Sequence, residues 1–144
     1  MKTFNDANGN PWLMDVNVSA LRRVKAIASL DIGDFAAIAS GEILKRLAAD
    51  PVLLADVAYA ILKPEADTRG ISKDDFCNLI RGDAIESVTT AILESLADFF
   101  PKAQGAVLKA VLSIARSETE KAMQETSESL AKMSGSPSPV SPES

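Results

Sequence analysis

Asp50-Pro51-Val52-Leu53-Leu54-Ala55-Asp56-Val57-Ala58-Tyr59-Ala60-Ile61-Leu62 is the stretch on which the fold turns. Asp at an N-cap accepts from the free amides of the first helical turn. Pro at the next position loses nothing, because its N–H would be unbonded there anyway. The run from Val52 to Leu62 is apolar nearly all round, Asp56 excepted, and a helix of that kind is buried on every side. The pattern predicts a central helix over 51–62, ended by Lys63-Pro64, with a loop from there to Gly70.

Elements on either side of it read as amphipathic helices. Upstream, Leu21, Val24, Ile27 and Leu30 recur every third residue, with Asn17 or Ser19 as N-cap. Asp34 caps a short helix carrying Phe35 and Ile38, Gly41 interrupts it, and Ile43, Leu44 and Leu47 resume the apolar face. Downstream, Ser72 opens a helix whose inner face is Phe76, Leu79 and Ile80, and Gly82 stops it. Asp83 caps the next, with Ile85, Val88, Ile92, Leu96 and Phe99 on one stripe up to Phe100-Pro101.

The two ends differ from this middle. Lys2-Thr3-Phe4 and Trp12-Leu13-Met14-Asp15-Val16 have β character, and Asn8-Gly9 between them supplies the positive φ of a tight turn. Residues 1–18 therefore read as a β-hairpin with Trp12, Met14 and Val16 on one face, which must pack on helices because two strands alone are marginal. From Lys102 to Met133 only Gly105 opposes helix; at 1.5 Å per residue the segment would reach about 45 Å, so its distal half is expected to project from the core. Residues 134–144, rich in Ser and Pro, read as a disordered tail. The expected architecture is mainly α: an N-terminal β-hairpin on a bundle of about six helices, a long C-terminal helix over 102–133, and one domain over 1–133.

Composition narrows the function. The net charge of −5 repels phosphate backbones, which speaks against nucleic acid. Arg22, Arg23 and Lys25 form the one basic cluster and read as a solvated helix face in preference to a binding patch. No secretory leader and no membrane-length apolar run is visible, so a cytoplasmic location and no membrane partner are expected. The single Cys77 reads as a core residue, and with no histidine in the chain there is no imidazole base to activate it. No phosphate loop, dinucleotide fingerprint or nucleophile elbow is present.

The remaining candidates have bland readings that outweigh sharp ones. Asp67, Asp74, Asp75 and Asp83 lack the spacing of a calcium loop, and Asp74 and Asp75 sit where a helix dipole favours acids. Asp56 reads as the solvent strip of the central helix before it reads as a buried catalytic acid, with Tyr59 beside it filling the core. Trp12 reads as the anchor of the hairpin before it reads as a stacking platform. No catalysis, metal or cofactor is expected.

Interaction signals are better. Leu108, Leu112, Ala115, Thr119, Ala122, Thr126, Ser129 and Met133 follow a heptad seam too poor for a stable coiled coil alone. Met123, Leu130 and Met133, on or beside it, are the expected protein-binding residues, for a second copy or a client helix. The alternative is a solvated helix end; if binding lies elsewhere, the groove between the hairpin and the first helix is the next candidate.

The order of features resembles a family of small phage proteins, the tail assembly chaperones encoded just before the tape measure protein of long-tailed phages. The likeness runs through Thr3-Phe4-Asn5-Asp6-Ala7-Asn8-Gly9-Asn10-Pro11-Trp12, Val16-Asn17-Val18-Ser19-Ala20-Leu21-Arg22-Arg23-Val24, Asp50-Pro51-Val52-Leu53-Leu54, Gly70-Ile71-Ser72-Lys73-Asp74-Asp75-Phe76, and Asp83-Ala84-Ile85 on to Leu96-Ala97-Asp98-Phe99-Phe100-Pro101. The resemblance implies a helical, self-associating, non-enzymatic chaperone that coats the tape measure protein during tail assembly. A small structural virion protein (head–tail connector or tail component) and a prophage-derived regulatory adaptor are the alternative expectations.

Overall fold

A computed structural model of the chain describes residues 2–114. Met123, Leu130 and Met133, the distal part of the helix expected over 102–133 and the tail expected over 134–144 lie outside the described residues. The chain divides into two compact units, Met1–Val111 and Leu112–Ser144.

The first unit is mainly α with an N-terminal antiparallel hairpin, β1 (Lys2–Asn5) and β2 (Pro11–Met14). Six helices follow: α1 (Val18–Ala28), α2 (Phe35–Ala39), α3 (Glu42–Ala49), α4 (Pro51–Arg69), α5 (Lys73–Asn78) and α6 (Asp83–Phe99). A seventh, α7, covers residues 102–114. The caps are largely those expected: Asn17, Asp34, Asp50 and Ser72 each accept from a first-turn amide. At α6 the N-cap is Gly82, and Asp83 is the first helical residue.

α4 is the central helix. It packs against α1, α3, α5 and α6, and from Leu54 to Leu62 only Asp56 escapes burial. It does not stop at Pro64 as expected; it runs unbroken to Arg69, and Gly70 closes it at φ 69°. Proline inside a helix removes one N–H and crowds the carbonyl four residues back. That carbonyl belongs to Ala60, and it is satisfied from outside: Arg23 Nε of α1 donates to it at 2.7 Å, while the same guanidinium reaches the Ile61 carbonyl at 3.1 Å. The guanidinium stands in for the missing proline N–H. Arg22 and Lys25 are exposed as expected of a solvated face, but Arg23 is a half-buried strut between α1 and α4.

α7 approaches α6 closely. A Cβ on Gly105 would stand 2.4 Å from the Ala97 carbonyl oxygen, so only glycine fits without a backbone shift. Gly105→Ala gains about 1 kcal/mol of helix propensity and meets about 1–3 kcal/mol of overpacking. Denaturant unfolding is expected to show a net loss of stability; an unchanged or more stable variant would contradict the close approach.

Candidate functional site

The hairpin is fixed to the helices by one aromatic node. Trp12 is fully buried; its ring meets Phe76 of α5 edge-on at 5.0 Å and 89°. The Arg69 guanidinium, held by Glu65, lies 3.8 Å above the same ring. Asp6, 5% exposed, accepts from the indole N–H at 2.9 Å and from the Asn8 and Asn10 amides at 2.9 and 3.0 Å. Burial pushes its carboxyl pKa up, but the hydrogen bonds from Trp12, Asn10 and Asn8, with Arg69 nearby, outweigh it and hold the pKa below the ordinary value. The Ala7 N–H donates to the Leu79 carbonyl and pins the tip to the end of α5. Trp12 is thus the anchor, and its faces are occupied.

Pro11 sets the phase of the ladder. Lys2 stands opposite Met14, Thr3 opposite Leu13, Phe4 opposite Trp12 and Asn5 opposite Pro11. In an antiparallel pair, successive couples alternate between exchanging two backbone bonds and exchanging none. Pro11 has no N–H, and its carbonyl faces away from β1 and is taken by Arg69 at 2.8 Å. One couple nearer the turn, the Asp6 N–H donates to the Asn10 carbonyl at 2.9 Å. Phe4–Trp12 and Lys2–Met14 are therefore the bonded couples. The N–H and C=O groups of Thr3 and Asn5 point outward from the free edge of β1, and among the described residues nothing bonds to them.

That edge borders a groove. Thr3, Phe4 and Asn5 form one wall, and Asp83, Glu86, Ser87 and Thr90 of α6 form the other, around a space of about 460 Å³. The four α6 residues follow helical spacing along one polar stripe, while Val88, Ile92 and Leu96 on the opposite side are fully buried. A second depression of about 680 Å³ shares Asn5, Asp83 and Ser87 and reaches Asp6 and Arg81. Four open backbone groups, with a polar helix face beside them lining the same groove, suit an extended polypeptide added as a third strand. The groove lies between the hairpin and α6; α1, expected to form its wall, packs on α4 instead.

The other acids are absorbed by local structure. Asp56 is three-quarters covered and stands 3.5 Å from Lys73 Nζ. Asp67 pairs with Lys63 at 2.8 Å, and Asp74 and Asp75 occupy the first turn of α5. No group of three or more potential metal ligands occurs among the described residues. Burial, followed by the charge of Asp56, pushes the pKa of the half-buried Cys77 thiol up, which disfavours the thiolate. Among the described residues no helix is long and apolar enough to cross a membrane.

In comparisons with known proteins, no family model, no curated protein and no solved structure matches the chain.

Proposed function

We propose that this protein is a non-enzymatic assembly factor that binds an extended segment of a client protein, in the manner of a phage tail assembly chaperone acting on the tape measure protein. One observation carries the binding reading: the unbonded outward edge of β1 lies beside a polar helix face, and the two line a groove of about 460 Å³. The resemblance through the hairpin and the 50–101 segments supports the choice of client.

The physics suits a chaperone. Main-chain hydrogen bonds are indifferent to side-chain identity, so strand addition can recur along a long client. Thr3 and Asn5 each present one donor and one acceptor. At about 0.5–1.5 kcal/mol net per bond, each site is weak once association costs are met. Coating then depends on many copies along one chain, and weak sites release when the tube closes around the client.

Thr3→Pro tests this reading. The Thr3 N–H faces away from β2, so proline there removes an edge donor without touching the hairpin ladder. Binding to a tape measure protein as client is expected to fall at least tenfold, with an unchanged circular-dichroism melt. Full binding by a folded Thr3→Pro protein would exclude the β1 edge. The chaperone role itself predicts absence from finished particles; abundant copies in mass spectra of purified virions would favour a structural virion protein.

A further inference from the structure

The two walls of the groove differ in what they can recognise. The β1 edge reads only backbone. The α6 stripe offers side chains, and its charged members are both acidic: Asp83 and Glu86 are exposed, and neither has an ion-pair partner among the described residues. Ser87 and Thr90 continue the stripe with hydroxyls. The adjoining depression shares Asp83 and brings one cation, Arg81; Asp6 beside it is buried with both oxygens already engaged. A strand laid along β1 turns every second side chain toward α6. Cations at those alternate positions meet Asp83 and Glu86 across the groove, and acids there are repelled by the same pair.

We infer that the β1–α6 groove selects extended segments carrying Lys or Arg at alternate positions, so that the occupant is a basic stretch of a partner protein and not a second copy of this acidic chain. The inference rests on the reading that the β1 edge holds a client strand. Its own content is the charge preference, which that reading does not require. The net charge of −5 argues the same way: a second copy approaching the acidic groove brings a net charge of the same sign.

The probes are three synthetic peptides of equal length: alternating Lys and Thr, alternating Glu and Thr, and all Thr. Fluorescence anisotropy is measured on the full chain, on Thr3→Pro and on the double variant Asp83→Asn/Glu86→Lys. The Lys peptide is expected to bind wild type at least tenfold more tightly than the Glu peptide, with affinity falling as salt rises. The double variant is expected to remove or invert that preference, and Thr3→Pro to weaken all three peptides. Equal binding of the Lys and Glu peptides, with Thr3→Pro weakening both, would overturn the charge selection and leave strand addition standing. Binding unaffected by Thr3→Pro, or none at all, would overturn strand addition and the inference with it. If the Thr3 and Asn5 amides of the peptide-free chain are already protected from exchange, the groove is filled by the chain itself and the inference also fails.

Discussion

Trp12→Ala is expected to cost about 3–5 kcal/mol, the range for truncating a fully buried large aromatic. For a domain of this size that is a large fraction of the total stability. The loss has three parts: the apolar area of the indole, the edge-to-face contact with Phe76, and the partner left behind at Asp6. Trp12→Phe isolates the third. It keeps a ring in the cavity but removes the N–H that Asp6 accepts, and is expected to cost about 1–3 kcal/mol. Its pH dependence identifies the cause. The Asp6 pKa is depressed in the folded protein, so the unfolded chain binds the proton first. The stability this supplies is fully present above the ordinary carboxylate pKa of about 4 and is lost as pH falls through the lower folded value. Without the indole bond the Asp6 pKa rises toward the ordinary value, and less stability remains to be lost to acid. Urea unfolding from pH 7 to pH 3 should therefore show wild type and Trp12→Phe converging. A constant gap between them would mean that the Asp6 bond contributes nothing and the ring alone anchors the hairpin.

Arg23→Ala is expected to cost about 3 kcal/mol, because it removes two charge-assisted bonds and leaves the Ala60 carbonyl without a donor. Pro64 is exposed, so Pro64→Ala can return the helical N–H without disturbing packing. A double-mutant cycle then separates two roles of the guanidinium. In the Pro64→Ala background, Arg23→Ala should cost at least about 1 kcal/mol less, since the Ala60 carbonyl now has its own donor. The same cost in both backgrounds would show that Arg23 acts only as a tie between α1 and α4. Pro64→Ala alone should stabilise the chain, proline being unfavourable in a helix interior.

Much of this fold is legible in the sequence because its determinants are local. Asp50-Pro51 starts α4, Ser72 starts α5, and the turn around Gly9 joins two strands whose apolar residues alternate; each signal acts within a few positions. The end of α4 is not legible, for the opposite reason. Pro64 is a stop signal in sequence, and what overrides it is a side chain from another helix. Arg23 reads as one of three surface cations, and nothing in the spacing of Arg22, Arg23 and Lys25 distinguishes the one that turns inward. Asp6 is equally hidden: an aspartate in a turn usually serves its own loop, and here one of its oxygens reaches the indole of the anchor.

The candidate site divides along the same line. The polar stripe Asp83, Glu86, Ser87 and Thr90 is visible in the sequence as the reverse of the Val88–Ile92–Leu96 stripe, whereas which couples of the ladder are unbonded follows only from the register of the hairpin. The meeting of that stripe with the outer edge of β1 depends on the docking of the hairpin by Trp12 and on β1 packing along α6. Apolar seams point instead toward Met123, Leu130 and Met133, which lie outside the described residues. A polar groove that binds through backbone leaves no hydrophobic trace to read.

Amide hydrogen exchange at Thr3 and Asn5, followed by NMR on the full chain with and without its client, tests the central claim most directly. The amides of Phe4 and Trp12, bonded across the hairpin, serve as the internal reference. Strand addition predicts that saturating client slows exchange at Thr3 and Asn5 by at least tenfold while the Phe4 and Trp12 rates change little. Client binding with Thr3 and Asn5 still exchanging at their free rates would contradict it.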